Sequence, residues 1–240
     1  MLVSFTQTYG NERTELYDIA SKDRKLIELK NLCDVNIFSF HNCDYSVVEK
    51  FKKVNQIKNT HIIKYDLPHY TDTIIELKKY LKELGCTHFL FMQDDVFSNI
   101  NHILDPNELV EYVKEQKENF MLNLRFEHDN VDIRMIPDEI KKTFKVFHTK
   151  TNKLTLELWS GMDDTPFFCT IDMLDEIYDD GYLEMKNIWD CEHYLQRKYS
   201  KEVINRYITD RPLFTNYNLF GRCIHHKDIY RQLLKDKGFI

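Results

Sequence analysis

The chain has 240 residues, 42% of them hydrophobic and 30% charged, with 33 Lys+Arg against 39 Asp+Glu. That length allows one large domain or two small ones and buries roughly 70% of the surface an unfolded chain exposes. The net charge of −6 argues against bulk binding to a nucleic-acid backbone, which needs clustered Lys and Arg. No apolar run approaches the ~18 residues of a membrane span. The start, Met1-Leu2-Val3-Ser4-Phe5, has neither the basic region nor the small-residue cleavage site of a secretory signal. The six cysteines, at 33, 43, 86, 169, 191 and 223, contain no C-x-x-C pair and no zinc-finger spacing. They are expected as free thiols in a reducing cytosol, so the expected location is cytoplasmic.

In chain order, Leu2 to Gln7 predicts a short strand followed by a polar turn, Tyr9-Gly10-Asn11-Glu12-Arg13. Thr14 opens a predicted helix carrying Leu16, Ile19, Ala20, Leu26 and Leu29, whose spacing fits a helical stripe only in part. Val35 to Phe40 is a second strand, and Tyr45 to Val54 a helix with Val47, Val48, Phe51 and Val54 on one face. His61 to Tyr65 is a third strand, cut off by Pro68. Thr71 to Leu84 is a helix stopped by Gly85. The continuous apolar strand His88 to Met92 then ends abruptly in Gln93-Asp94-Asp95. Repeated β-α-β units with near-continuous apolar strands imply a parallel sheet covered on both faces. In such sheets ligands bind beyond the carboxyl ends of the strands. Three polar clusters fall there: Thr6-Gln7-Thr8-Tyr9, His41-Asn42 and Gln93-Asp94-Asp95.

The second half reads differently. Phe120 to Phe126 predicts a strand, and the segments 145–148 and 154–159 a hairpin around Thr151-Asn152-Lys153. Pro166 to Thr170 is a further strand, leading into a helix from Asp172 to Tyr178. Asp190 is placed as the cap of a helix from Cys191 to Tyr199, and Asp228 to Lys235 is a last short helix. No linker composition and no internal repeat is present. The expected fold is one α/β domain with a Rossmann-like, mostly parallel mixed sheet flanked by helices.

Asp94 and Asp95 follow an apolar strand with no intervening turn residue. Two adjacent carboxylates repel each other and call for a cation or strong donors. Oxygen ligands of this kind suit Mg²⁺ or Mn²⁺, which use one or two carboxylates plus substrate phosphates. The plain alternative is that both cap the turn before Ser98 and Asn99. The segment from Lys79 to Val96 (helix, glycine, apolar strand, Gln-Asp-Asp) resembles the donor-site segment of GT-A-fold glycosyltransferases. Those enzymes carry a D-x-D or x-D-D motif there, which binds the metal bridging the diphosphate of a nucleotide-sugar. The resemblance implies a GT-A-like single domain, with residues 1–100 binding the nucleotide-sugar and residues 101–240 the acceptor. It makes Asp95 the main metal ligand and brings Asp94 to the metal or to the ribose and sugar. Gln93 stands at the first position of D-x-D, leaving the x-D-D form.

Further matches follow in family order. Leu2 to Arg13 resembles the family's first strand and nucleotide loop, so Thr6, Thr8 and Tyr9 are expected at the base and ribose and Arg13 at the diphosphate. Arg13 reads equally as a solvated helix-start residue. His41 and Asn42 fall where the family contacts the base. The stretch Asp190 to Arg197 resembles the acidic helix start of the family, with Glu192 in the place of the catalytic carboxylate and Cys191 replacing the family's Glu. A carboxylate base takes the proton of the attacking hydroxyl in an inverting transfer. Asp190 and Glu192 also read as ordinary helix-start residues. Trp159 to Pro166 resembles the acceptor loop: Trp159 is expected to stack on a sugar, with Gly161 in the turn, Asp163 or Asp164 accepting from its hydroxyls, and Asp164 as second choice for the base. His225 or His226 resembles the C-terminal metal-binding His of many GT-A enzymes.

No G-x-G-x-x-G, Walker A or G-x-S-x-G motif is present, which disfavours dinucleotide oxidoreductases, P-loop NTPases and serine hydrolases. Two other classes stay open. One is a nucleotidyltransferase of related fold, which needs a Gly- and Arg/Lys-rich loop where Tyr9-Gly10-Asn11 supplies one Gly. The other is a non-catalytic nucleotide- or carbohydrate-binding module. The base, the sugar, the acceptor and the oligomeric state are not readable.

Overall fold

The computed structural model describes residues 1–8, 14–41, 43–67, 69–98, 105–124, 146–148, 155–158, 166–199, 206–209 and 214–216. The first strand, β1 (Leu2–Thr8), is buried along its whole length, as a central strand covered on both faces must be. The helix expected over 14–29 is two helices, α1 (Thr14–Ala20) and α2 (Arg24–Asn31). Asp23 breaks it: its extended backbone and side chain cap α2, the carboxylate accepting from Leu26 N–H at 3.0 Å. Then come β2 (Val35–His41), α3 (Tyr45–Val54), the half-buried edge strand β3 (Thr60–Tyr65), α4 (Tyr70–Glu83) and β4 (His88–Gln93).

Gly85 ends α4 as expected. Its φ of +68° is open to glycine at no steric cost. The bonds Gly85 N–H to Lys82 O and Cys86 N–H to Leu81 O close a Schellman motif.

Beyond β4 the chain differs from the expected turn. Asp94 and Asp95 form a two-residue turn into a short strand, β5 (Val96–Ser98). The helix α5 (Pro106–Lys114), which sequence reasoning did not single out, and β6 (Met121–Asn123) follow. β6 covers the middle of the predicted 120–126; Leu124 N–H donates to Pro166 O at 2.7 Å in register with the β6–β9 ladder, and residues 125–126 lie outside the described residues. The predicted hairpin is present as β7 (Val146–His148) against antiparallel β8 (Thr155–Leu158); its turn lies outside the described residues. β9 (Phe167–Thr170), α6 (Ile171–Ile177) and the short α7 (Asp180–Leu183) lead to α8 (Ile188–Tyr199), β10 (Arg206–Thr209) and β11 (Phe214–Asn216). α8 starts earlier than expected. Cys191 N–H bonds to Asn187 O, so Asn187 holds the cap position and Asp190 lies in the first turn. The helix expected at 228–235 lies outside the described residues.

Among the described residues, nine strands form one sheet, ordered β3-β2-β1-β4-β9-β6-β10-β8-β7; all but β8 and β9 run in one direction. β5 and β11 pair separately. The strand order reverses between β1 and β4, the topological switch point of an open α/β sheet. One face packs on α4, α6, α7 and α8 through Phe5, Ile37, Phe89, Phe91, Leu77, Leu174 and Leu195. On the other face, α2 and α5 cover Leu90, Met92 and Phe168, and α1 and α3 cover Phe38 and Phe40.

Phe5 anchors the larger core: it is fully buried, with ring centroids 6.2 Å from Phe89 and 6.1 Å from Phe91. Phe5→Ala is expected to cost about 3–5 kcal/mol in urea denaturation. A cost below about 1 kcal/mol would contradict this packing. Cys33, Cys43, Cys86, Cys169 and Cys191 are free and buried, as expected of reduced thiols. Burial pushes the Cys33 thiol up to about 12 and that of Cys86 to about 11. A native titration with a thiol reagent at pH 8 should therefore modify no more than one of the six cysteines, and all six after unfolding. Rapid reaction of two or more in the native state would contradict the burial.

Candidate functional site

The site grows from the register of β1 and β4. Gln7 lies opposite Gln93, and one step on Asp94 N–H donates to Gln7 O at 3.0 Å. The parallel ladder therefore carries the acidic pair past the last core residue and sets it beside Thr8, at the switch point. The pair is buried: Asp94 is 6% exposed and Asp95 0%, with both Asp95 carboxylate oxygens sealed from solvent. Two neighbouring carboxylates held out of water need compensating charge, since solvent does not supply it.

One positive charge lines the same cavity as Asp94. Lys30, in the last turn of α2, is 3% exposed, and its Nζ donates to Thr6 Oγ1 at 2.6 Å and lies 4.6 Å from the centre of the Phe38 ring. Burial pushes its ammonium down to about 8, against the opposing pull of Cys33, Asp94 and Asp23. The group therefore still carries its proton at neutral pH. Lys30 lines a cavity of about 40 Å³ with Thr6, Thr8, Tyr17, Gln93 and Asp94, room for one or two waters. Sequence reasoning missed Lys30, because a lysine in a last helical turn reads as a solvated partner of the helix dipole. A signal existed: Lys30 is four residues from Leu26, on the apolar face of α2.

The other expected site residues divide into three groups. Thr6 and Thr8 are brought to the acidic pair, but their hydroxyls are engaged inside the protein, Thr6 with Lys30 and Thr8 donating to Ser39 O at 2.8 Å. Gln93 is half-buried on the same cavity. His41 ends β2, one strand beyond β1. Its Nε2 lies 2.7 Å from Thr73 Oγ1 and its ring 5.7 Å from that of Tyr65, while burial lowers its pKa against the opposing pull of Asp66. Asp190 is exposed on α8, and Glu192 follows on the same helix, which packs on the sheet through Cys191 and Leu195. Tyr9, Arg13, Asn42, Trp159, Gly161, Asp163, Asp164, His225 and His226 lie outside the described residues.

Among the described residues no three His, Cys, Asp or Glu side chains converge as a metal cage. Asp94 and Asp95 supply two adjacent carboxylates on a rigid strand end. That donor set fits Mg²⁺ or Mn²⁺ completed by substrate phosphates and water, as these ions are commonly held. No helix among the described residues is long and apolar enough to cross a membrane.

No family model matches the chain, and no curated protein matches its sequence. Solved structures do match. The 4-diphosphocytidyl-2C-methyl-D-erythritol synthase of Anaerococcus prevotii aligns over 96% of this chain and 96% of its own, at 11% identity and a TM-score of 0.51. TarS 1-349 of S. aureus aligns over 93% of this chain and 63% of its own, at 12% identity and a TM-score of 0.50. A Desulfovibrio desulfuricans protein described as a nucleotide-diphospho-sugar transferase aligns over 99% and 95%, at 11% identity and a TM-score of 0.48. The likeness is one of fold: the chain shares with the A. prevotii synthase and with TarS 1-349 an α/β architecture, a mostly parallel mixed sheet flanked by helices, as the sequence led one to expect.

Proposed function

We propose that the chain is a metal-dependent glycosyltransferase that moves a sugar from a UDP- or GDP-sugar to an acceptor hydroxyl. The observation carrying this reading is the buried Asp94–Asp95 turn at the switch point between β1 and β4. Mg²⁺ or Mn²⁺ bound there would neutralise the charge of the diphosphate. Asp95 is the main ligand in this reading, with Asp94 beside it and His225 or His226 completing the set. Thr6, Thr8, Tyr9, Arg13, His41, Asn42 and Gln93 form the donor side within residues 1–100. Trp159, Gly161 and Asp163 hold the acceptor within residues 101–240. Glu192 takes the acceptor proton, with Asp164 and then Asp190 as alternatives, and transfer is inverting.

Isothermal titration of UDP and GDP with and without Mn²⁺ tests the reading. Nucleotide binding that strengthens with Mn²⁺ is expected; no binding of either nucleotide and no effect of Mn²⁺ would remove its basis. A second reading, nucleotidyl transfer, is supported by the fold shared with the A. prevotii synthase. Release of pyrophosphate from a nucleoside triphosphate and a sugar phosphate would favour it. Transfer from a nucleotide-sugar with release of the nucleoside diphosphate would favour the first. Nucleotide binding without turnover of either kind would leave a binding module.

A further inference from the structure

Helix α8 carries Cys191, Tyr194, Leu195 and Lys198 on one face, spaced as a single helical stripe. Cys191 and Leu195 are buried in the core against the sheet. Tyr194 and Lys198 meet one carboxylate, that of Asp179, in the elbow between α6 and α7. The Tyr194 hydroxyl lies 2.8 Å from Asp179 Oδ1 and 3.0 Å from Oδ2, and Lys198 Nζ donates to Oδ2 at 2.6 Å. The Lys198 ammonium also donates to Glu176 O. The elbow is itself anchored. Asp179 caps α7, its Oδ1 accepting from Tyr182 N–H at 2.9 Å. Just before it, Tyr178 O accepts from Lys78 Nζ of α4 at 2.8 Å, and the same ammonium pairs with Asp175 at 2.8 Å. Gly181 leaves room for the phenol: a Cβ there would stand 2.5 Å from the Tyr194 oxygen, although alanine is otherwise the better helix residue.

The polar half of this stripe adds little to folding as such, being one partly exposed ion pair and one phenol hydrogen bond. The apolar half already buries the helix. What two bonds to one carboxylate add, one helical turn apart, is a defined rotation and axial position. We propose that Asp179 is a positioning residue: through Tyr194 and Lys198 it sets the seat of α8, and with it the place of Asp190 and Glu192, which flank Cys191 at the start of that helix. The value of that place for proton abstraction rests on the function proposed above; the seating of α8 does not.

The test compares Cys191, 2% exposed at the start of α8, with Cys169, fully buried in β9. Site-resolved thiol modification of the native full chain reads how often each is uncovered. Tyr194→Phe/Lys198→Met should raise the Cys191 rate at least ten-fold while the Cys169 rate rises less than three-fold. Gly181→Ala should raise the Cys191 rate in the same selective way, by displacing the phenol. Lys198→Arg keeps the ion pair and should leave both rates within about two-fold of the unaltered chain. A parallel rise at the two cysteines marks general destabilisation and overturns the clamp, as does no rise at Cys191. Should the double variant fail to fold, Tyr194→Phe, which removes one oxygen, is read in its place, with a rise of at least three-fold expected at Cys191 alone. With a nucleotide-sugar and acceptor that turn over, the double variant should lower kcat at least ten-fold and leave the donor dissociation constant within about two-fold. Selective opening at Cys191 with kcat unchanged overturns the positioning role. If the unaltered chain turns over no nucleotide-sugar, the proposed function falls, while the comparison of the two cysteines still decides the clamp.

Discussion

Asp95→Asn should lose Mn²⁺-dependent nucleotide binding by at least ~100-fold while the protein keeps its fold. A hundred-fold loss corresponds to about 2.8 kcal/mol, within reach of a single charge-assisted contact made out of water. Asn matches the size of Asp and keeps one carbonyl oxygen, so it preserves the buried packing of a side chain with no exposure. What it removes is the negative charge. In metal-free buffer that removal also takes away the repulsion with Asp94. Two unit charges about 4 Å apart repel by about 4 kcal/mol at an effective dielectric of 20, and Asp94 and Asp95 are neighbours in one buried turn. The thermal midpoint of the apo-protein should therefore hold or rise as binding falls. A purely structural carboxylate predicts the opposite pattern, a loss of stability with no specific loss of Mn²⁺ dependence. Calorimetric titration beside thermal denaturation separates the two, and unchanged Mn²⁺-dependent affinity would reject Asp95 as a ligand.

The strand ending in this pair was legible because its cause is local. Phe89 to Met92 are apolar without interruption, as a doubly covered parallel strand requires, and Gly85 marks where α4 must stop. The break between α1 and α2 was not legible in the same way. Ser21 and Lys22 do not forbid helix, and Asp23 is locked in place partly by Ser98, far along the chain. β5 escaped notice because three residues carry no period of their own, and its partner β11 lies near the other end of the chain. The start of α8 was misplaced because Asn187 and Asp190 are both good capping residues three positions apart, and only the backbone bonds choose between them. The place of Asp94 and Asp95 at the end of β4 could be read from the sequence. The burial of Lys30 could not, since it depends on how α2 lies on β1 and on the Phe38 ring from β2.

That earlier start of α8 bears on the base. Glu192 is now the fifth residue of the helix, past the first turn in which the N-terminal field acts, whereas Asp190 is the third. Helix-end stabilisation therefore falls on Asp190, the exposed residue, more than on Glu192. Glu192→Gln is expected to lower kcat by 10²- to 10⁴-fold and to leave the dissociation constant of the nucleotide-sugar within about two-fold, the split that marks loss of a proton acceptor rather than of binding. Asp190→Asn should cost about 0.5–1 kcal/mol of stability through the helix end and leave kcat in place. Both are read from initial rates of nucleoside diphosphate release with a donor and acceptor that turn over, alongside donor titration. Retained turnover in Glu192→Gln with loss in Asp164→Asn would move the base to the loop before β9. A fall in donor affinity as large as the fall in kcat would assign Glu192 to binding instead.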